Sequence, residues 1–121
     1  MLELKVQESK LKNAFCLPEV VAVYVPATTN TNEESDNSEQ VRQVLSKLSK
    51  LNGGASAINL TGSWLSDDKG LVLEKTVKVF SNCQEVTIEL INALYDIAQE
   101  LKESMNQESV AIEINSKIFL I

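Results

Sequence analysis

Residues 57–80 read AINLTGSWLSDDKGLVLEKTVKVF. Ile58, Leu60, Gly62 and Trp64 alternate with Ala57, Asn59, Thr61 and Ser63, the period of two that a strand imposes on its side chains. Asp67-Asp68-Lys69-Gly70 is hairpin-turn chemistry. Beyond the turn, Leu71, Leu73, Val77 and Val79 fall on one face, and Val72, Glu74, Thr76, Lys78 and Phe80 on the other. The stretch predicts two adjacent antiparallel strands.

A helix is predicted on either side of this hairpin. Upstream, Val41, Val44, Leu45, Leu48 and Leu51 recur at helical spacing, and Gly53-Gly54 supplies a stop. Asp36 followed by Glu39 resembles a capping box, so this helix is placed at about 38–51. Downstream, Thr87, Leu90, Ile91, Leu94, Ala98, Leu101 and Met105 mark the buried stripe of a longer helix, placed at about 84–105. Before the first helix, Val20 to Val25 is apolar on both faces and is stopped by Pro26, which suits a central strand. After the second, Val110 to Ile114 alternates as a strand, and Asn115-Ser116 turns it into a short C-terminal strand over 117–121.

The order strand, helix, strand, strand, helix, strand predicts an α+β domain of the ferredoxin-like βαββαβ kind, an antiparallel sheet with two helices on one face. Residues 1–121 read as a single domain with residues 1–17 as an N-terminal extension, in which Leu2, Leu4 and Val6 suggest a short edge strand. On the sheet face away from the helices the expected residues are Asn59, Thr61, Ser63, Glu74, Thr76, Lys78, Ala111 and Glu113. One half of the first strand joins them, either Val21, Val23 and Val25 or Val20, Ala22 and Tyr24. A face of that mixed character and the two-sided apolar run Ile118-Phe119-Leu120-Ile121 call for cover, which predicts a homodimer or larger homo-oligomer.

Composition narrows the functions. The net charge is −6 at pH 7, so phosphate backbones are repelled and no nucleic-acid partner is expected. There is no histidine, and Cys16 and Cys83 lie far apart, so no metal is expected and histidine-based acid–base catalysis is excluded. The one arginine, Arg42, falls on a predicted helix and not in a phosphate cradle. No apolar run approaches a membrane span and no signal segment is evident, so a cytoplasmic protein without a membrane partner is expected.

Candidate sites are few. Thr28, Thr29, Asn30 and Asn32 lie in a loop dense in hydroxyls and amides, able to hold a polar ligand and equally ordinary as turn residues. Glu33, Glu34, Asp36 and Glu39 lack the register of a calcium loop and read as a solvated helix entrance. Trp64 is the only tryptophan, suited either to the core or to stacking on a ligand. Glu74, among apolar neighbours, is a candidate base, or else a surface carboxylate paired with Lys75 or Lys78. Asn82-Cys83 at a helix start would lower a thiol pKa, yet the thiol lacks a histidine partner.

Gly53-Gly54-Ala55, Gly62-Ser63-Trp64 and Gly70-Leu71-Val72-Leu73-Glu74, with the strand end Val25-Pro26 and the segment Gln107-Glu108-Ser109-Val110-Ala111-Ile112-Glu113-Ile114-Asn115, resemble a family of small uncharacterised proteins of bacteria and their phages. The resemblance implies ferredoxin-like topology and a bacterial or phage source, and no activity. The reading reached from sequence is a non-enzymatic homo-oligomeric binding or regulatory module, without cofactor, that recognises a small polar ligand or a protein partner. Its binding residues would be Thr28, Thr29, Asn30, Asn32, Trp64 and Glu74. The alternatives are a cofactor-independent enzyme of the dimeric α+β barrel type and an acidic phage-type inhibitor or decoy.

Overall fold

Two tight turns set the sheet. In a computed structural model that describes residues 1–29, 33–34 and 36–121, strands β4 (Ser56–Ser66) and β5 (Gly70–Cys83) are joined by the turn 67–69. The Ser66 hydroxyl donates to Asp68 Oδ1 at 2.7 Å and accepts from the Lys69 amide, and Gly70 follows at φ +73°, a region closed to most side chains. Strands β6 (Ala111–Ile114) and β7 (Lys117–Leu120) are joined by Asn115 and Ser116, at φ +48° and +73°. Positive φ at both central residues is the turn whose twist matches a hairpin.

Strand β1 (Glu19–Pro26) ties the hairpins together. It pairs antiparallel with β5 from Glu19↔Cys83 to Pro26↔Thr76, and with β6 from Val21↔Ile114 to Val23↔Ile112. The sheet therefore runs β4-β5-β1-β6-β7, antiparallel throughout. A second, two-stranded sheet pairs β2 (Thr28–Thr29) with β3 (Glu33–Glu34) in the segment expected to be loop. Helix α1 spans Leu2–Gln7, α2 Ser38–Asn52 and α3 Ile88–Ser104.

This corrects the ferredoxin-like βαββαβ expectation of six elements with two helices on one face. Among the described residues there are ten elements, with five strands in the main sheet and a third helix, α1. Residues 2–7, expected as an edge strand, close into helical bonds instead, Lys5 N to Met1 O and Glu8 N to Leu4 O, and none of them is buried. A strand needs a neighbouring edge to pair with, whereas a helix satisfies its own backbone locally.

The core is built on one face of β1. Val21, Val23 and Val25 are buried with Val79 of β5, Ile112 of β6, Val44 and Leu48 of α2, and Leu90, Leu94, Ala98 and Leu101 of α3. The heptad-like spacing of both helices brings these residues onto one stripe each. Helix α2 stops at Gly53, φ +91°, whose amide returns to Ser49 O. Its start departs from the expected capping box: Asn37 is the cap residue, and Asp36 Oδ1 accepts from the Ser38 amide and hydroxyl. Helix α3 begins later than expected because Thr87 caps it, its hydroxyl accepting from Leu90 N at 3.1 Å. The buried Ser81 is satisfied on both sides, donating to Gly54 O and accepting from Asn52.

Directly opposed residues in a ladder share a face. In the β4–β5 ladder Gly62 opposes Glu74, Trp64 opposes Val72, and Leu60 opposes Thr76. Asn59, Thr61 and Ser63 oppose Val77, Lys75 and Leu73, on the side of Val79. The register thus removes Asn59, Thr61 and Ser63 from the face expected for them and puts Trp64 on the face of Glu74. On β1 the same face carries Ala22 and Tyr24, since Val21, Val23 and Val25 belong to the core.

Candidate functional site

The face of the sheet that carries Tyr24 and Glu74 holds a cavity of about 250 Å³, lined by Tyr24, Thr28, Glu74, Gln107, Val110 and Leu120 among others. Each position has a local cause. Thr28 follows Pro26 where β1 leaves the sheet, and the Gln107 amide donates to its carbonyl at 2.9 Å, pinning it to the turn after α3. Tyr24 projects from β1 by alternation against the buried Val23 and Val25. Glu74 sits on β5 just beyond the last residue that β1 pairs, Thr76.

Trp64 and Glu74 form one unit: the indole Nε1 donates to Glu74 Oε1 at 3.0 Å. This bond crosses the ladder diagonally, from Trp64 to the neighbour of its opposed Val72. The tryptophan is 47% exposed, so its ring is a surface group and not a core residue. The carboxylate's partner is this indole, while Lys78 pairs with Glu113, 3.4 Å away.

Beside them lies a second polar unit that the sequence reading did not single out. The Tyr24 hydroxyl donates to Glu113 Oε1 at 2.5 Å, and Lys78 Nζ stands 5.7 Å from the Tyr24 ring centroid. Burial, and then the hydrogen bond and negative charge of Glu113, push the Tyr24 phenol from 10.0 up to about 12. The available signal was the placement of Tyr24, Lys78 and Glu113 on three strands; their register could not be read without the fold.

The six expected site residues divide. Thr28 and Glu74 line the same cavity, and Trp64 reaches it through Glu74. Asn30 and Asn32 lie outside the described residues, as does the side chain of Thr29. The thiol of Cys83 is buried at the end of β5, not at a helix start; burial first, and then Glu19, push it up, against nucleophilic use. Among the described residues no three His, Cys, Asp or Glu side chains gather as a cation site, and no helix is long and apolar enough to cross a membrane.

Other hollows among the described residues are larger but chemically poorer, one of about 340 Å³ being lined by Ala27, Asn37, Asn59, Thr61 and Lys75. The groove between α2 and α3, about 450 Å³, is bridged by the Lys47–Glu100 ion pair and floored by Val44, Ile97 and Leu101. The one beneath the start of α2, about 400 Å³, is lined by Asn37, Arg42 and Asn59. None of these brings together a carboxylate, a phenol and an adjoining indole.

The fold has known counterparts. A phage SAM lyase in complex with S-methyl-5'-thioadenosine superposes with a TM-score of 0.62 at 19% identity, over 85% of this chain and 88% of that one. A phage SAM lyase in its apo state superposes with a TM-score of 0.63 at 18% identity, over 85% and 87%. At such identity the likeness is one of fold. No family model matches the chain, and no curated protein matches it. The structural neighbours are small phage proteins, in line with the source that the resemblance implies. They correct the functional expectation of a non-enzymatic binding or regulatory module, because the fold is one shared with an enzyme.

Proposed function

We propose that this chain is an enzyme of the SAM lyase type, which takes S-adenosylmethionine and releases S-methyl-5'-thioadenosine. The observation that carries the reading is the sheet-face cavity where Glu74, held by the Trp64 indole, meets Tyr24 in a fold shared with such a lyase. In this reaction the bond from sulfur to the four-carbon amino-acid fragment breaks. Its electron pair stays on sulfur, and the positive sulfonium becomes a neutral thioether. As the bond breaks, the fragment's own carboxylate oxygen donates an electron pair to the carbon left behind, so one C–O bond forms for the C–S bond lost and the fragment closes to a lactone. No redox or metal chemistry is needed, because the leaving group departs neutral.

The residues at hand suit those charges. The substrate is cationic at both sulfonium and ammonium, and a chain of net charge −6 attracts it. A carboxylate aimed at the sulfonium would stabilise the ground state, whose charge vanishes as the bond breaks. The ammonium keeps its charge throughout. Glu74 is therefore assigned to the ammonium, with one oxygen fixed by Trp64 and the other meeting the substrate. The indole, the Tyr24 ring and the apolar Ala111 and Leu120 are left to face the sulfonium and the adenosyl group. An apolar surface there favours the step, because the reaction disperses charge. The test is direct: purified protein incubated with S-adenosylmethionine, with S-methyl-5'-thioadenosine followed by chromatography. Release at the rate of spontaneous decay overturns the reading.

The reading includes a homo-oligomer. The cavity of about 250 Å³ is smaller than the roughly 300–1,000 Å³ usual for ligand sites, so one chain leaves a nucleoside-sized ligand partly uncovered. The β4–β5 hairpin extends beyond β1 as a two-stranded arm, with Leu65 78%, Leu71 61% and Leu73 65% exposed. An arm apolar at its tip asks for a partner surface. Static light scattering is expected to give a mass at least twice the 13.4 kDa chain, reduced to the single chain by Leu65→Glu with Leu71→Glu. A monomer at micromolar concentration rejects the assembly.

A further inference from the structure

Tyr24 lines the cavity, but the groups that govern it do not. Glu113 stands one strand away on β6, and Lys78 opposite Tyr24 on β5. Neither is among the residues lining the cavity. Glu113 is largely shielded, its side chain 15% exposed, and it is held by two groups: the Tyr24 hydroxyl at 2.5 Å and the Lys78 ammonium at 3.4 Å. A phenol has one hydrogen to donate and lone pairs to accept with. Here the hydrogen is spent on a charged acceptor, the stronger kind of bond. Lys78 over the ring also occupies one of its faces.

We propose that Glu113 is a positioning residue for the cavity: with Lys78, it commits the Tyr24 hydrogen away from the ligand, so that Tyr24 meets the ligand only as a hydrogen-bond acceptor and an aromatic surface. The ligand group that Tyr24 takes is then a donor, an ammonium or a sugar hydroxyl. A carbonyl or carboxylate oxygen is refused, because it would find lone pairs instead of a hydrogen. Tyr24 is equally withdrawn from service as a proton donor. The other charged side chain on this face of the cavity is that of Glu74; Lys75, also at the cavity, opposes Thr61 and belongs to the other face of β5.

The experiment uses the full chain carrying Tyr95→Phe, which leaves Tyr24 as the only tyrosine. Tyr95 lies on α3, away from the cavity. The chain is labelled at the tyrosine ring carbon that bears the hydroxyl, and its carbon resonance is followed with pH. Tyr24 is expected to stay neutral at pH 10.5, in keeping with its rise to about 12. With Glu113→Gln its ionisation is expected to fall toward 10. Glu113→Asp keeps the charge while withdrawing the oxygen by one methylene, and is expected to move the resonance the same way, which covers a Gln variant that does not fold. Identical titration with and without Glu113 overturns the inference. A second arm rests on the lyase reading: Tyr24→Phe and Glu113→Gln each lower kcat/KM about tenfold, and together no further, because Glu113 acts through Tyr24. Losses that multiply in the double variant overturn the inference. Absence of turnover in the unaltered protein overturns the lyase reading alone, since the resonance still answers for Glu113.

Discussion

Glu74→Gln is expected to lower kcat/KM for S-methyl-5'-thioadenosine release about a hundredfold, with the unfolding midpoint nearly unchanged. Glutamine keeps the carbonyl oxygen that accepts from Trp64 Nε1, so the 3.0 Å bond survives the substitution. What disappears is the negative charge. A fragment no longer held by its ammonium loses the orientation in which its bond to sulfur breaks, and misplacement of about 1 Å at a reacting centre costs about a hundredfold. Because the bond is exposed, little folding energy depends on it. The measurement is initial rate against substrate concentration beside a thermal melt of the same sample. Undiminished kcat/KM removes Glu74 from the site. A loss of both activity and stability would make it structural.

Leu94→Ala is expected to cost about 2–5 kcal/mol of stability, read from urea unfolding as a lower midpoint at unchanged slope. Leu94 is fully buried in the middle of α3, among the residues that pack on Val21, Val23 and Val25. Truncation leaves a void under a helix whose other buried side chains hold the same position, so the site cannot collapse freely. For a domain of this size the loss is a large fraction of the total stability of about 5–15 kcal/mol. Leu71→Ala is the contrasting measurement, as its side chain is 61% exposed at the tip of the arm. It is expected to leave the stability of a single chain within about 0.5 kcal/mol. Equal costs at the two positions would mean that Leu94 is not at the centre of the core.

Much of the local structure was written in the chain. Alternation in residues 57–80 with a glycine-closed turn dictates a hairpin, because side chains on a strand must take opposite sides. The apolar spacing in Val41 to Leu51 and Leu90 to Leu101 dictates two amphipathic helices, and Gly53 ends the first, because few other residues adopt φ +91°. Asn115-Ser116 marks a turn by its residue types alone. These are properties of neighbours a few bonds apart, and a sequence carries them directly.

The tertiary structure decided what depends on distant partners. Residues 2–7 alternate like a strand but form α1, because no sheet edge reaches them and a helix needs none. The C-terminal strand expected over 117–121 pairs with β6 as the fifth strand of the main sheet, and with α1 and the small β2–β3 ribbon it takes the chain away from the ferredoxin-like plan. Above all, the register of β4 on β5 was beyond the sequence. A shift of one residue exchanges the two faces of a strand. The shift actually taken sets Trp64 beside Glu74 and moves Asn59, Thr61 and Ser63 to the opposite side. Tyr24, Lys78 and Glu113 lie 54 and 35 residues apart in turn and become neighbours only because β1 is flanked by β5 and β6. The candidate site therefore consists of residues whose types the sequence supplied and whose company was settled by strand pairing.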